Sequence, residues 1–156
     1  MKKSLTYDDI QLVPRYSQIP SRNDIRLQTL LSRRYGLLNP IVASPMDTVC
    51  ELEMAYKMFK LGGVGCIHRF NSIEEQSNIV KELYHRIFSP DLPLLEWAEI
   101  GCGIPPIMAA IGVQEEDRAR ANALVNAGAN VLLIDVAHGD HQNVIDMIIW
   151  YKRMLS

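Results

Sequence analysis

Asp135, His138, Asp140 and His141 fall within seven positions of the stretch NVLLIDVAHGDHQNVID, residues 130–146. A carboxylate can accept hydrogen bonds from ligand hydroxyls, and an imidazole can exchange a proton near neutral pH. The His-x-x-His spacing of His138 and His141 would suit a metal on a helix. Here it straddles Gly139 in a loop and lacks a third ligand, so no metal is expected. Smaller groups of the same kind recur upstream. Ser44 and Met46 lie in SPMDTV, and His68 and Arg69 in GCIHRF. Asp47 and Thr48 read as caps of a following helix. Cys66 reads as a packed core thiol, and Asp8 with Asp9 as an anchor for the N-terminal segment.

The elements that must position these groups are strands buried on both faces. Val131, Leu132, Leu133 and Ile134 run without alternation, as in a parallel sheet covered by helices. Earlier apolar runs end in the other groups. The pattern predicts strands at Pro40–Ala43, Val64–Ile67, Ile107–Ile111 and Val131–Ile134. Helices are predicted at Glu51–Leu61, Ser72–Phe88, Glu115–Ala127 and Gln142–Met154. Leu52, Ala55, Tyr56 and Phe59 share one helical face, and Ser72 with Glu75 has capping-box spacing. In the second helix Ile79, Leu83 and Ile87 share a face with Tyr84 beside it. Residues 1–39 have no clean period. They read as an irregular arm with two short strands, Ile10–Val13 and Ile25–Thr29, packed on the outside of the fold. Residues 89–106, with four prolines and two glycines, read as a connector.

Ile41 and Gly65 are 24 positions apart, as are Ile107 and Val131, and the connector lengthens the middle interval to 42. Strand–helix units at a short regular pitch imply right-handed crossovers and a parallel sheet. A glycine-rich dinucleotide fingerprint would favour an open doubly wound sheet. Gly63 and Gly65 precede or fall inside a strand and lack the rest of that pattern. Polar groups after every strand favour a barrel, which collects them on one face. A barrel needs eight units in about 250 residues, and this sequence holds four. The fold class expected is therefore α/β, parallel (βα) units of a TIM barrel. Residues 1–156 would form a single domain, a half-barrel of four units plus the arm.

Composition narrows the classes further. Net charge is −2, which gives no electrostatic case for nucleic acid or a membrane surface. No apolar run is long enough to span a bilayer, and MKKSLTYDDIQ lacks the apolar core of a secretory signal. Cys50, Cys66 and Cys102 are odd in number and widely spaced, which suits reduced thiols in a cytoplasmic protein.

Five segments in order carry a resemblance. They are Leu5-Thr6-Tyr7-Asp8-Asp9, Ala43-Ser44-Pro45-Met46-Asp47-Thr48-Val49, Gly62-Gly63-Val64-Gly65-Cys66-Ile67-His68-Arg69, Ala110-Ile111-Gly112-Val113 and Ile134-Asp135-Val136-Ala137-His138-Gly139. With them the chain resembles the IMP dehydrogenase/GMP reductase family over nearly its whole length. The resemblance implies a purine nucleotide oxidoreductase on a (β/α)₈ barrel. In that family a cysteine thiolate adds to the purine C2 position, and hydride passes between that carbon and a nicotinamide cofactor. The dehydrogenase branch takes IMP to XMP with NAD; the reductase branch takes GMP to IMP with NADPH. Carried onto this sequence, Ser44, Met46 and Arg69 match nucleotide-binding positions, although Arg69 replaces a lysine or histidine of many relatives. Asp135, Ala137, His138 and Gly139 match the segment that binds the cofactor, NAD or NADP, with Asp135 on the nicotinamide ribose.

The departures matter equally. The family's catalytic cysteine sits in a glycine-rich loop followed by threonine, and none of the three cysteines here has that setting. The later phosphate-binding glycine loops and the flap are also missing. The connector occupies the place where dehydrogenases insert paired CBS domains. SPMDTV and GGVGCIH resemble dehydrogenases, whereas YDDIQL, HRF and NVIDMI resemble reductases, so the branch stays open. Two readings follow: half of a split enzyme completed by a complementary half-barrel chain or a homo-oligomer, and a non-catalytic nucleotide-binding remnant.

Overall fold

The computed structural model describes residues 4–89, Trp97 and residues 104–154. It contains the four predicted βα units. The strands are β3 (Val42–Ala43), β4 (Val64–Ile67), β5 (Met108–Ile111) and β6 (Val131–Ile134), preceded by a hairpin of β1 (Thr29–Leu30) and β2 (Gly36–Leu37). The helices are α1 (Leu52–Lys60), α2 (Ile73–Ile87), α3 (Glu115–Asn126) and α4 (Gln142–Met154). The main sheet runs β3-β4-β5-β6, all parallel, in chain order. Val42 pairs with Val64, Cys66 with Met108, and Met108 with Val131. A parallel α/β sheet in sequential order with alternating helices is what part of a TIM barrel looks like.

The helix faces follow from the spacing of apolar residues. α1 buries Ala55 and Phe59, with Leu52 and Tyr56 half-buried beside them. α2 buries Gln76, Val80, Leu83 and Ile87, so the inward face centres on Val80 and Gln76, and Tyr84 lies exposed at its edge. Ser72 caps α2 as predicted. Its hydroxyl accepts from Glu75 N–H (3.1 Å), and the Glu75 carboxylate accepts from Ser72 N–H (2.9 Å). α1 differs from expectation. Glu51 occupies its N-cap without a side-chain bond, while Asp47 Oδ1 accepts from the Thr48 N–H at 2.9 Å in the preceding turn. Asp47 and Thr48 sit too far ahead of Leu52 to reach the helix's first N–H groups.

Close contact leaves no room for a side chain at several glycines, Gly65 and Gly112 among them. At Gly65 a Cβ would lie 2.6 Å from Ala55 Cα and 2.7 Å from Cys50 Sγ, so a bare backbone lets α1 settle onto β4. At Gly112 a Cβ would run into the Asp117 carboxylate. Between β4 and β5, Trp97 is buried and stacks on Phe59 with centroids 5.5 Å apart. Asn130 ties the end of that segment to β6. Its Oδ1 accepts from Ile107 N–H at 2.7 Å and its Nδ2 donates to Pro105 O at 3.0 Å. Connector residues 90–96 and 98–103 lie outside the described residues.

The arm departs furthest from expectation. Neither Ile10–Val13 nor Ile25–Thr29 forms a strand. Short 3₁₀ turns stand at Tyr7–Asp9 and Arg22–Asp24, and the hairpin begins only at Thr29. Every residue from 4 to 30 is exposed, so the arm does not pack on the outside of the fold. An extended segment without a ladder partner has nothing to hold its backbone as a strand. Asp9 braces only its own turn, accepting from Thr6 N–H at 2.9 Å and Thr6 Oγ1 at 3.1 Å. Those bonds hold its carboxyl below the usual carboxylate range.

Gly65→Ala should destabilise the fold by about 1–3 kcal/mol, the usual cost of overpacking a close contact. Urea melts of the two proteins, compared at unchanged m-value, measure it.

Candidate functional site

In a parallel sheet every strand delivers its C-terminal end to the same face, and here the polar groups gather there. Ser44 and Met46 follow β3, His68 and Arg69 follow β4, Gly112 follows β5, and Asp135 through Gly139 follow β6. The structure joins Arg69 to Asp135. Arg69 Nη2 donates to the Asp135 carbonyl at 3.1 Å, and its Nε lies 3.5 Å from Asp135 Oδ2. Both side chains are about a third exposed, at 32% each. Arg69 reaches past β5, a span of two strand spacings or about 10 Å. Its guanidinium also lies 5.6 Å from the centroid of the Phe70 ring.

Behind this pair a buried polar relay holds the strand ends. The Gln76 amide donates to Ile67 O at 3.3 Å and Ala110 O at 2.9 Å, bridging β4 and β5. Its Oε1 accepts from Arg120 Nη1 at 2.6 Å, and Arg120 Nη2 donates to Asn71 O at 3.1 Å. Asp117 faces Arg120 at 3.7 Å and accepts from Gln114 N–H at 2.9 Å. A buried amide and ion pair with its hydrogen bonds filled is rigid, and breaking it strands the remaining groups. The motif reading missed this relay. Its one sequence signal was Gln76 on the inward face of an otherwise apolar helix.

His68 is also buried. Its Nδ1 accepts from Phe70 N–H at 3.2 Å, which puts the ring proton on Nε2, facing Glu51 Oε1 at 3.3 Å. Its bonds run to the start of α1 and to its own loop, so it braces the β4 end. Ser44 O accepts from Met46 N–H at 2.9 Å, and both side chains are exposed three strands from Asp135. Ala137, His138 and Gly139 are exposed, and a Cβ at Gly139 would meet nothing within 4 Å. Nothing joins Ser44 or Met46 to the Asp135 cluster among the described contacts.

The thiols are placed to be unreactive. Burial pushes Cys50 up to about 11. Burial, then the neighbouring Cys50 and Asp135, push Cys66 up to about 12. A thiol so raised is almost wholly protonated at neutral pH and is a poor nucleophile. Cys102 lies outside the described residues. Among the described residues no three metal-ligating side chains cluster, and no helix is long and apolar enough to cross a membrane.

Asp135 uses Oδ2 toward Arg69 and leaves Oδ1 as an acceptor that a ribose hydroxyl could donate to.

Parallel βα units in sequential order, with polar groups at the C-terminal strand ends, are the α/β arrangement of part of a TIM barrel. The chain belongs to the family of the IMP dehydrogenase / GMP reductase domain, whose model matches residues 4–156. It is 36% identical to inosine-5'-monophosphate dehydrogenase of Cryptosporidium parvum, over 92% of this chain and 42% of that protein. It is 48% identical to GMP reductase of Leishmania donovani over 53% of this chain and 17% of the relative. Against inosine-5'-monophosphate dehydrogenase of Nitrosopumilus maritimus it is 51% identical, over 51% and 17%. The chain thus spans less than half the length of these relatives. They carry both branch names, as the mixed motifs anticipate.

In a Cys102→Ser variant, Cys50 and Cys66 should stay unmodified by Ellman's reagent at neutral pH and both react after denaturation. Raised thiol values also fix a pH trend. The folded state holds these protons more tightly, so their contribution to stability is whole below pH 9. It is lost as pH climbs towards about 11–12. Replacing Cys66 by Ala should flatten the alkaline fall in urea midpoint.

Proposed function

We propose that these residues supply the first half of a purine nucleotide oxidoreductase barrel, acting on IMP with NAD or on GMP with NADPH in the cytoplasm. The observation that carries this reading is the Asp135 carboxylate, held by Arg69 at the end of β6 with Oδ1 open. Residues 1–156 then act as one domain, with residues 1–39 as its arm and 89–106 as the connector. Ser44 and Met46 contact the nucleotide from the β3 end. Asp135 accepts a ribose hydroxyl of the dinucleotide, and Ala137, His138 and Gly139 give it an unobstructed backbone to lie against. Arg69 stands between the two sides and fixes the Asp135 carboxylate. The nicotinamide, when bound, accepts or donates hydride at the purine carbon.

The nucleophile then comes from a second polypeptide, because Cys102 lacks the threonine-followed glycine loop of the family. Neither described cysteine is accessible or acidic enough to serve. The open edges at β3 and β6 support completion by a complementary half-barrel or a second copy. β3 is largely exposed, and all four residues of β6 are only half-buried. Unpaired edges invite pairing.

The purified chain should show no turnover with IMP plus NAD or with GMP plus NADPH. Activity should appear when a polypeptide carrying a relative's glycine-rich cysteine loop is supplied. Turnover by the isolated chain would overturn the assignment of the nucleophile. In the completed enzyme Asp135→Ala should raise the dinucleotide KM about 10-fold or more, the worth of a charged hydrogen bond, with the nucleotide KM unchanged. An unaltered dinucleotide dependence would remove Asp135 from the site. A completed assembly that binds nucleotide yet never turns over would favour the non-catalytic reading.

A further inference from the structure

We infer that Arg120 is a positioning residue for the candidate site: it clamps both ends of the segment Ile67–Asn71 and so brings Arg69 onto Asp135. The inference deepens the proposed dinucleotide reading and rests on it for the effect on binding.

An ionised side chain on the inward side of a helix is costly unless it is paired and hydrogen-bonded. α3 turns two such residues inward, Asp117 and Arg120, one helical turn apart. Their side chains are 7% and 13% exposed. Replacing a buried ion pair by apolar side chains is often neutral or stabilising, so stability alone does not account for this one. Its contacts do. Arg120 Nη1 donates to Gln76 Oε1 at 2.6 Å, and the Gln76 amide donates to Ile67 O. Arg120 Nη2 donates to Asn71 O at 3.1 Å. Ile67 is the last residue of β4, and Asn71 lies two residues before α2. One guanidinium therefore holds the segment at both of its ends.

Arg69 is the midpoint of that segment. Residues 68–71 fall between a strand and a helix, so neither a ladder nor a helical turn holds them. His68 braces the middle, accepting from Phe70 N–H and facing Glu51. From there the Arg69 side chain must cross β5 to meet Asp135, with Nη2 at 3.1 Å from the carbonyl. A hydrogen bond is lost by about 3.6 Å, so a drift of about 0.5 Å in the segment is enough to break this one.

The shape of the clamp is specific to arginine. A guanidinium offers its donors in a fixed planar fork, whereas the ammonium of lysine is a point charge on a flexible stem. Lysine at position 120 would keep a positive charge near Asp117 and release one end of the segment.

Arginine side-chain NMR on the full chain tests this. The Arg69 Nε–H is buried. Its signal, identified by its loss in Arg69→Lys, should exchange with water at least tenfold more slowly than that of exposed Arg15. In Arg120→Lys that exchange should speed up at least tenfold, with circular dichroism unchanged. Gly65→Ala separates positioning from plain loss of stability: it should lower the urea midpoint and leave the Arg69 signal alone. If Arg120→Lys does not fold, Asp117→Asn keeps an acceptor for Gln114 N–H, loosens Arg120 and should move the signal the same way. In the completed enzyme Arg120→Lys should raise the dinucleotide KM about tenfold with kcat little changed, and add nothing on top of Asp135→Ala. An Arg69 signal unmoved in a folded variant, or moved equally by Gly65→Ala, would overturn the inference. So would a dinucleotide KM that rises in Asp135→Ala and not in Arg120→Lys. A KM indifferent to Asp135→Ala overturns the dinucleotide reading instead, and the clamp then stands or falls on the NMR comparison.

Discussion

Gln76 holds the ends of two parallel strands together, and the candidate site depends on it. Parallel neighbours cannot be joined by a tight turn, so nothing local aligns the tip of β4 with the tip of β5. One amide reaches the carbonyls of Ile67 and Ala110 at once, and Arg120 fills the remaining acceptor. Arg69 is two residues beyond Ile67, so its aim toward Asp135 is set by this bridge. Asp117 extends the relay to α3 and crowds Gly112, which must therefore lack a side chain. A buried relay of this kind adds modest net stability, since desolvation offsets much of its attraction. What it contributes is a fixed arrangement of strand ends.

The same sheet is solid on its helix side and unfinished at its margins. β4 and β5 are fully buried, β6 is half-buried, and β3 is largely exposed. Burial falls from the centre to both edges because an edge strand has a neighbour on one side only. The Asp135 cluster stands on β6, at one of those margins.

Much of this was legible in the residues. Unbroken apolar runs marked β4, β5 and β6, and helical spacing marked all four helices to within two residues. Capping chemistry was readable at Ser72 and misleading at Asp47, because a turn of four residues separates Asp47 from α1. The arm misled for a different reason. Ile10–Val13 has strand-like composition, but a strand exists only through its partner, and partnership is not written in a single segment. For the site, the gathering of Ser44, Arg69 and Asp135 at one end followed from topology alone. The direct Arg69–Asp135 contact did not, since it depends on a long side chain crossing β5 from the end of β4.

The uneven strand spacing has a consequence for how the chain is closed up. Pairing β3 with β4, or β5 with β6, joins residues 22 or 23 positions apart, whereas pairing Cys66 with Met108 closes 42. The chain-entropy difference is only about 0.5 kcal/mol, because it grows with the logarithm of length. The two outer pairs therefore form compact βαβ modules whose union demands little more than their own closure. The junction between them can therefore lengthen at a small entropic penalty, leaving the register of the strands untouched.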